Sequence, residues 1–425
     1  MRMYFLLVRI AALLGHSKAK KLVAGQAASV AMLSAKDGKH KQPADDKQQQ
    51  QLDALRGCIW FHAASVGEFE QARPIIERLR KDRPQQPILL TFFSPSGYEM
   101  RKDYEHADKV LYLPFATGKN ARLLLDRLQP SMAVFVKYEF WKPYLKELHK
   151  RQIPTYLISA IFRPCQLFFK PWGKPYRRLL TYFDRLYVKD EASKTLLARY
   201  GTENVIVAGD TRFDRASAVA KQTKKLPEME YFVMPKALEQ PKPVIVAGST
   251  WPPDEQLIAR YMEEREDVKL VLVPHEIKEQ HLQQIFQLFE GRYVRFTEAT
   301  KHSLITSRIL VVDTMGLLSR LYKYATVAYV GGGFGVGIHN TVEPAVYGIP
   351  VLFGPNYGKF REAKDLIACG ASASVHDYAS FRDSMDRAID NALQMGEAAK
   401  QYVASERGAT DKIYKDLFKQ NTDNQ

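Results

Sequence analysis

The feature that most constrains the fold is an alternation of strand and helix patterns that runs along the chain twice. In the first series, seven short apolar segments between Cys58 and Asp210 are separated by helical patterns. In the second series, apolar segments recur from Pro243 to Phe353. Parallel strands need crossover connections, so strands alternating with helices predict parallel sheets. We therefore predict an α/β protein with two Rossmann-like domains facing a cleft, with ligands at the carboxyl ends of the strands.

The domain boundaries follow from the break between the two series. A chain of 425 residues exceeds one ordinary hydrophobic core and favours two domains. Residues 217–242 lack a clear strand pattern and contain three prolines, which predicts an interdomain connection. The expected organisation is a helical segment at 1–34, a first domain at 55–216, a second domain at 243–400 and a C-terminal helix at 401–425.

Charge and cysteine content limit the classes of partner. The formal net charge of +15 favours anionic partners such as lipid headgroups or phosphorylated substrates. Nucleic acid is not expected, because the sequence has no run of five basic residues and no nucleic-acid-binding motif. The three cysteines are scattered, which fits neither a disulfide framework nor a zinc site, and there is no clear Asp-x-Asp pair. We predict no metal and no cofactor.

The N-terminus carries a short apolar stretch, Met3–Leu14, that is interrupted by Arg9 and followed by a basic cluster. A bilayer-spanning helix needs roughly 20 apolar residues, so this stretch is too short to span. No A-x-A cleavage site follows closely, which argues against a signal peptide. The sequence favours a membrane-associated helix that lies in the interface, and a helix packed on its own domain is the alternative.

The glycine-rich segment at 328–355 (AYVGGGFGVGIHNTVEPAVYGIPVLFGP) predicts an anion site. A short strand runs into glycines that include Gly333, and a helix is expected to open at Asn340–Glu343. Glycines let backbone N–H groups approach an anion, and a helix N-terminus adds unpaired donors. Glu343 lies where a carboxylate could accept hydrogen bonds from a ribose diol. The alternative is a glycine turn packed for sheet geometry; the segment is not a Walker loop.

The segment 59–68 (IWFHAASVGE) is the first candidate for catalysis. A strand ends at His62, Ser65 lies in a small-residue turn, Gly67 allows close approach, and Glu68 opens a helix. A carboxylate at that edge of a sheet suits a general base. Ser65 and Glu68 also match the capping-box spacing, in which backbone N–H groups would occupy the Glu68 side chain. His62 alone is more typical of a packed histidine than of a ligand.

Two further strand ends in the first domain carry charged side chains. Glu139 follows a very apolar strand and lies beside Trp141, which could hold a sugar or its leaving charge, or could be a surface carboxylate next to a core tryptophan. Arg212, in the turn at 208–214 (AGDTRFD), could bind a carboxylate or phosphate with two parallel hydrogen bonds.

The second domain offers two comparable strand ends. In 248–255 (GSTWPPDE), the hydroxyls of Ser249 and Thr250 and the backbone of the turn could contact phosphate. In 272–275 (LVPH), His275 could contact a base or phosphate, or could cap the turn.

Taken together, these segments resemble the Kdo (3-deoxy-D-manno-octulosonic acid) transferases. The resemblance covers most of 55–365 in the family's order and rests on HAASVGE at 62–68, YEFW at 138–141, GDTRFD at 209–214, GSTWPPDE at 248–255, DTMGLL at 313–318 and GGGFGVGIHNTVEPAVYGIPVLFGP at 331–355. It also reaches GHSKAKKLVAGQ at 15–26.

The resemblance implies a GT-B glycosyltransferase that moves Kdo from CMP-Kdo to a lipid A precursor at the cytoplasmic face of the inner membrane, without metal. By position, Glu68 would be the general base, and Glu139 and Arg212 would stabilise the transition state. The residues implied in binding the CMP part of the donor are Pro274, His275, Met315, Gly316, Asn340, Thr341, Val342 and Glu343.

The chain departs from the family pattern at two points. Pro274–His275–Glu276 stands where the family has Pro-Arg-His, so an expected nucleotide-binding arginine is missing, and Leu317 replaces a glutamate after Met315–Gly316. The rival predictions are another GT-B enzyme using a UDP-sugar for glycolipid or peptidoglycan, a sugar-nucleotide epimerase of the same architecture, and a non-catalytic membrane-surface binder.

Overall fold

A computed structural model of the chain describes residues 2–34, 49–235 and 240–418. These residues form two compact units. The described residues within Met1–Arg215 and Gly408–Gln425 form the first unit, and those within Ala216–Arg407 form the second. Parts of the predicted interdomain connection (236–239) and of the C-terminal segment (419–425) lie outside the described residues.

The first unit is built on a parallel sheet of seven strands in the order β3-β2-β1-β4-β5-β6-β7. The central strands are apolar on both faces, because helices cover both sides. In β1, Trp60 packs into the core on one face, whereas Ile59 and Phe61 pack into the core on the other. The strands are β1 Ile59–Ala63, β2 Ile88–Phe92, β3 Lys109–Tyr112, β4 Met132–Val136, β5 Thr155–Ala160, β6 Arg185–Val188 and β7 Val205–Val207.

The helices of the first unit include the two N-terminal helices and the last helix of the chain. Those with bounds wholly within the described residues are α1 Arg2–Leu13, α2 Ser17–Ser34, α3 Val66–Asp82, α4 Pro95–Arg101, α5 Gly118–Leu128, α6 Lys142–Lys150, α7 Lys174–Leu180, α8 Glu191–Ala198 and α19 Ala409–Phe418, with 3₁₀ turns at Leu167–Phe169 and Pro171–Gly173. The chain passes to the second unit within α9, Thr211–Gln222.

The second unit has a second parallel sheet of seven strands, in the order β10-β11-β9-β8-β12-β13-β14. Its strands are β8 Val244–Thr250, β9 Lys269–Pro274, β10 Tyr293–Arg295, β11 Ile309–Val311, β12 Val327–Val330, β13 Val351–Phe353 and β14 Ser372–Ser374. Its helices are α10 Pro227–Val233, α11 Pro252–Glu264, α12 Glu279–Leu288, α13 Lys301–Thr306, α14 Leu318–Leu321, α15 Val342–Ala345, α16 Arg361–Ala368, α17 Tyr378–Asp390 and α18 Ala392–Glu406, with 3₁₀ turns at Phe296–Glu298 and Tyr322–Tyr324.

The N-terminal segment is helical, as predicted, and is packed on the first unit. Helix α2 contacts β3 and α5. In α1, Phe5 is buried, with its ring centroid 4.5 Å from that of Phe115. The large apolar side chains of α1 and the following turn that stay exposed are Leu7, Ile10, Leu13 and Leu14. Within the described residues, no helix combines the length and the apolar character that crossing a bilayer requires.

Two segments differ from the organisation predicted for them. The predicted connection at 217–242 contains α10, whose Met229 and Phe232 are fully buried in the second unit's core, so most of it is part of that unit. The predicted helix at 401–425 is broken between α18 and α19, where Arg407 has an extended backbone (φ −79°, ψ 161°) and Gly408 has a left-handed one (φ +102°). Helix α19 then packs Ile413, Leu417 and Phe418 into the core of the first unit.

Candidate active site

The first unit reverses its strand order at β1. The chain moves outward from β1 to β2 and β3 and then returns to β4 on the other side of β1. Loops that leave such a pair of strands diverge and open a crevice at the carboxyl ends, which is where open α/β sheets bind ligands. The loop after β1 carries Glu68, and the loop after β4 carries Glu139. The topology therefore brings both predicted carboxylates to one switch point.

Glu68 is held by the backbone at the start of α3. Its Oε2 accepts hydrogen bonds from the N–H groups of Ala64 (2.7 Å) and Ser65 (3.2 Å), as the capping-box spacing predicted. Within the described part of the chain, Oε1 makes no hydrogen bond. Burial raises the pKa of Glu68 and the charge of Glu139 raises it further, whereas Lys137 and the Ala64 N–H oppose the shift. Capping occupies only one of the two carboxylate oxygens, so the capping interpretation of Glu68 and its prediction as a general base are compatible.

The loop in front of α3 is open. A Cβ placed on Gly67 would meet no atom within 4 Å, so this glycine leaves space at the first turn of the helix. Ser65 is the N-cap, with an extended backbone at φ −141° and ψ 171°. The structure thus places Ser65, Gly67 and Glu68 together around one helix N-terminus.

Glu139 is nearly buried and is part of a network with His62 and Trp141. Its Oε2 lies 2.9 Å from His62 Nε2 and accepts a hydrogen bond of 2.5 Å from Trp141 Nε1. His62 is fully buried at the end of β1, and its Nδ1 faces the backbone oxygen of Thr91 at 3.1 Å. The alternative of a surface carboxylate beside a core tryptophan is therefore wrong, because Glu139 is 7% exposed and bonded on its inner side.

Two residues at the ends of the central strands hold a left-handed backbone. Lys137 follows β4 with φ 61°, and Ser159 lies near the end of β5 with φ 57°. For residues other than glycine this conformation costs roughly 1–2 kcal/mol, and such residues cluster at binding and catalytic sites. The charge of Lys137 lowers the pKa of both Glu68 and Lys189, so Lys137 lies near both groups.

Arg212 is anchored to a buried carboxylate that the sequence analysis did not select. Asp210 Oδ2 accepts hydrogen bonds from Arg212 Nη2 (2.6 Å) and Nε (2.9 Å) and from Lys189 Nζ (2.7 Å). Burial raises the pKa of Asp210, but the charges of Arg212 and Lys189 outweigh burial and hold it well below its ordinary value. Burial lowers the pKa of Lys189 to about 8, with Asp210 opposing. The first unit thus places two cations around one buried anion at the ends of β6 and β7.

The second unit repeats the switch point at β8, which lies between β9 and β12. Ser249, at the end of β8, has a left-handed backbone with φ 55°. Thr250 is fully buried, and its hydroxyl donates to Glu255 Oε1 at 2.9 Å. Glu255 Oε2 in turn faces His281 Nε2 at 3.0 Å. The Thr250 hydroxyl therefore serves the fold of the loop rather than pointing to an open phosphate site.

The glycine loop after β12 packs against the loop after β8. A Cβ on Gly331 would lie 2.4 Å from the Ser249 oxygen, and a Cβ on Gly333 would lie 2.5 Å from Gly354 Cα. Asp254 Oδ2 accepts the N–H groups of Gly332 (3.0 Å) and Trp251 (2.9 Å), and Oδ1 accepts the Tyr329 hydroxyl (2.8 Å). Part of the glycine pattern thus serves close packing, which was the alternative interpretation, and Asp254 holds the loop in place.

Three rings lie over this loop. The His275 ring stacks on Trp251, with centroids 4.8 Å apart, and on His339, with centroids 4.3 Å apart. Trp251 Nε1 donates to His339 Nε2 at 3.3 Å. Burial lowers the pKa of His339 to about 4, and burial also lowers the pKa of His275. At neutral pH these imidazoles are uncharged, so His275 replaces the expected arginine with a neutral, flat surface next to Pro274.

The helix predicted to open at Asn340 is only the one-turn helix α15. Gly348, with φ +67°, ends the helical path before β13. Asn340 Oδ1 accepts the Val342 N–H (3.1 Å), and its Nδ2 donates to Glu343 Oε1 (2.9 Å). Thr341 is fully buried, and its hydroxyl has no hydrogen-bond partner in the described part of the chain. A macrodipole needs several aligned turns, so the anion-binding argument now depends on individual N–H groups rather than on a helix dipole.

Met315 and Gly316 lie in an exposed turn between β11 and α14. The Met315 side chain is exposed, and Gly316 has φ +88°, which favours glycine. Among the described residues, no group of three or more His, Cys, Asp and Glu side chains is arranged to hold a metal ion.

Comparisons with known proteins agree with the sequence resemblance and the fold. Residues 34–215 match the family model of 3-Deoxy-D-manno-octulosonic-acid transferase (kdotransferase). The chain is 26% identical to the 3-deoxy-D-manno-octulosonic acid transferase of Aquifex aeolicus, over 75% of this chain and 82% of that protein. It is 24% identical to the enzyme of the same name from Haemophilus influenzae, over 85% and 86% of the two chains.

The fold has solved counterparts. The crystal structure of UDP-GlcNAc 2-epimerase from Neisseria meningitidis, bound to UDP-GlcNAc, aligns with a TM-score of 0.60 over 85% of this chain and 99% of that chain. Its sequence identity of 17% supports the fold alone. The predicted GT-B architecture, with two Rossmann-like units, is therefore confirmed.

Proposed function

Since this chain is a glycosyltransferase that belongs to the Kdo transferase family, we propose that it transfers Kdo from CMP-Kdo to a lipid A precursor, lipid IVA, with inversion. The observation that carries the proposal is the pairing of Glu68 and Glu139 at the switch point of the first unit. A base for the acceptor hydroxyl and a group that stabilises the transition state, both at one crevice, are what direct displacement on a sugar requires, with no nucleophile on the enzyme.

In this reaction the acceptor hydroxyl attacks the anomeric carbon of Kdo, and the bond from that carbon to the phosphate oxygen breaks. Glu68 takes the hydroxyl proton, and CMP leaves with the electron pair. Oε1 of Glu68, which makes no hydrogen bond among the described residues, is suited to that role, because Oε2 is already fixed by two backbone N–H groups. Glu139 is suited to stabilising the transition state at the sugar, and Arg212 is suited to the sugar carboxylate or phosphate.

The second unit supplies the proposed donor site. The candidate residues around its switch point are Ser249, Thr250, Pro274, His275, Gly333, Asn340, Thr341, Val342 and Glu343, with Met315 and Gly316 in a neighbouring turn. The Asn340–Glu343 hydrogen bond fixes a carboxylate where a ribose diol could donate to it. We propose that Thr250 acts indirectly, because its hydroxyl is bonded to Glu255.

We further propose that the protein works at the cytoplasmic face of the inner membrane, on an anionic surface. The net charge is +15, and α1 and the turn after it expose Leu13 and Leu14. A second surface lies after β5, where Leu167, Trp172 and Tyr176 are exposed among basic residues. Exposed tryptophan and tyrosine next to basic side chains are typical of surfaces that meet lipid headgroups.

The direct test is transfer of Kdo to tetraacylated lipid A precursor, with CMP-Kdo generated in situ because it is labile and products identified by mass. We expect a product heavier by one or more Kdo residues, and their number distinguishes a single transfer from a repeated one. No product, with the Aquifex aeolicus relative active in the same mixture, would contradict the proposal. UDP-sugars as donors then test the other GT-B activities, including epimerisation.

Membrane association has its own test, sedimentation with vesicles that contain anionic phosphatidylglycerol. We expect binding to these vesicles, weakened by salt, and little binding to neutral vesicles. Replacing Trp172 and Leu167 by Ser should weaken binding, whereas Leu393→Ser, which changes an exposed leucine of the second unit, should not. Equal binding to neutral and anionic vesicles would argue against an electrostatic membrane surface.

A further inference from the structure

His62 lies outside the predicted catalytic set, yet it is the innermost group of the Glu139 network. Its side chain is fully buried at the end of β1. Its Nδ1 lies 3.1 Å from the Thr91 backbone oxygen and 2.9 Å from the Thr91 hydroxyl. A backbone carbonyl can only accept a hydrogen bond, so Nδ1 carries a hydrogen. The contact with Thr91 therefore fixes one imidazole hydrogen on Nδ1.

The second nitrogen determines what His62 does for Glu139. Nε2 lies 2.9 Å from Glu139 Oε2, and both atoms are acceptors unless a proton lies between them. Trp141 Nε1 also points at this pair, 2.5 Å from Oε2 and 3.1 Å from Nε2. Two facing acceptors in a buried site repel each other, so His62 and Glu139 hold one shared proton. The pair is then neutral overall, whichever of the two atoms the proton is closer to.

That neutrality affects Glu68. The titratable groups that face Glu68 are His62 from β1 and Lys137, Tyr138 and Glu139 from the segment after β4. Glu139 raises the pKa of Glu68, and His62 opposes that effect. Without the shared proton, the Glu139 charge would act on Glu68 uncompensated.

We propose that His62 is a positioning residue for glycosyl transfer: with one shared proton it fixes the Glu139 carboxylate against Trp141 and keeps the His62–Glu139 pair neutral beside Glu68. This inference rests on the proposed Kdo transfer, in which Glu68 is the base. The simpler role for His62 is packing alone, since its ring also makes edge contacts with Phe135 and Trp141. The two roles predict different effects of His62 substitutions on the pH dependence of kcat/KM.

Two conservative variants separate the geometric effect from the electrostatic one. His62→Asn keeps a donor toward Thr91 but does not reach Glu139, whereas His62→Gln reaches Glu139 with an amide N–H but cannot share a proton. We expect His62→Asn to lower kcat about 10- to 100-fold with KM nearly unchanged, as is typical when a group that orients a catalytic residue is lost. We expect His62→Gln to recover most of kcat on the alkaline plateau. In both variants the acid limb of the kcat/KM profile should move to higher pH, because Glu68 becomes harder to ionise.

Tyr144→Phe is the matched control. It removes a buried 2.9 Å hydrogen bond to the Pro114 oxygen in the same core, so it lowers stability without touching the carboxylates. We expect its pH profile to match the wild type. If both His62 variants keep the wild-type kcat and acid limb, or if their kcat loss matches that of Tyr144→Phe at an equal fall in Tm, His62 only packs and the proposal is overturned.

The shared proton can also be observed without any substrate. In protein labelled with ¹⁵N-histidine, NMR should show the His62 Nδ1 protonated and a strongly deshielded proton between Nε2 and Glu139, which should disappear in Glu139→Gln. A His62 ring with an unprotonated Nδ1, or a spectrum that Glu139→Gln leaves unchanged, would overturn the proposal even if Kdo is transferred. If the wild type transfers no Kdo but this proton is present, the proposed function fails and the positioning of Glu139 by His62 stands.

Discussion

In both units the strand order reverses at one central strand, β1 in the first and β8 in the second, but the carboxylates at that point are used differently. In the first unit, Glu68 has one oxygen bonded to backbone N–H groups, and its other oxygen makes no hydrogen bond in the described part of the chain. In the second unit, Asp254 uses both oxygens to hold Tyr329, Trp251 and the glycine loop. The first arrangement suits the acid–base role that we propose for Glu68, and the second holds a loop in place.

The difference extends to the groups around each carboxylate. The first unit collects charged side chains at the ends of its strands, including Lys137 and the Lys189–Asp210–Arg212 cluster. The second unit collects rings, and its two stacked histidines are kept neutral by burial. Under the proposed function, the charged side chains of the first unit act in the transfer reaction, and the flat, neutral ring surface of the second unit binds the donor. Substitutions at the first site should therefore change kcat, and those at the second should change donor binding.

The largest expected effect is at Glu68. Glu68→Gln removes the base but keeps the amide in hydrogen-bonding range of the capping N–H groups, so we expect kcat to fall about 10²–10⁴-fold. Binding of CMP, measured by calorimetry, should remain within about twofold, since the proposed donor site lies in the second unit. Glu70→Gln, which is on the same helix and whose carboxylate pairs with Arg73 and Arg101, is the matched control. Normal turnover by Glu68→Gln would remove Glu68 from the mechanism.

The next effect is at Asp254, the counterpart in the second unit. Asp254→Ala leaves three buried donors without their acceptor, and we expect the free energy of unfolding to fall by about 3–6 kcal/mol at roughly 1–2 kcal/mol per donor. Asp254→Asn keeps one acceptor oxygen and should lose less. Urea unfolding measures the stability, and donor KM at a temperature where both variants are folded measures the loop. A fall in kcat with unchanged donor KM would break the proposed division between the two sites.

The sequence predicts the sheets well because their strands are buried on both faces and appear as continuous apolar runs. Thirteen strands match predicted segments, whereas β14, with only Ser372–Ser374, has no apolar run to reveal it. The sequence analysis missed the break before α19, because the left-handed backbone of Gly408 is visible only in the structure. Helical periodicity continues through Glu397–Phe418, so the pattern alone gives no stop.

The candidate site is harder to predict from the sequence, because the side chains that contact one another there are far apart in the chain. Glu68 and Glu139 are visible as carboxylates at strand ends, but the His62–Glu139 contact joins residues 77 positions apart. Asp210 is two residues before Arg212 and could have been selected as its partner, yet the third member, Lys189, is brought in only by the pairing of β6 with β7. In the glycine segment, packing against Gly354 and Asp254 cannot be told from phosphate binding by composition.

A smaller effect is expected from pH on the ring stack of the second unit. The pKa of His339 is about 4 in the folded chain and about 6.5 for an unperturbed histidine, so the unfolded chain takes up the proton first as pH falls. The free energy of unfolding should therefore decrease by up to about 3 kcal/mol as pH falls from about 6.5 to about 4. Below that pH the contribution of His339 should no longer change. Urea unfolding of the wild type and of His339→Asn across pH 4–7 isolates the contribution of His339 to this pH dependence. Parallel curves for the two proteins would show that His339 contributes no pH dependence.

The smallest expected effect comes from two aspartates that cap the start of a helix, one in each unit. Replacing each one tests whether the loss of stability stays within its own unit. Asp214 accepts the N–H groups of Gly408 and Thr410, both at 2.7 Å, and so holds the start of α19 in the first unit. Asp377 accepts the Ser380 N–H at 2.8 Å at the start of α17 in the second unit. Removing a cap costs about 1 kcal/mol, and Asp214→Ala should cost toward 2 because two donors lose their acceptor.

Hydrogen exchange read by mass spectrometry locates each loss. We expect Asp214→Ala to speed exchange in α19 and in the elements that bury Leu417 and Phe418, and Asp377→Ala to speed exchange in α17 alone. If Asp214→Ala leaves exchange in the first unit unchanged, α19 contributes little to that unit. The last helix would then lie on a sheet that is stable without it, and the acid–base site at β1 would not depend on the end of the chain.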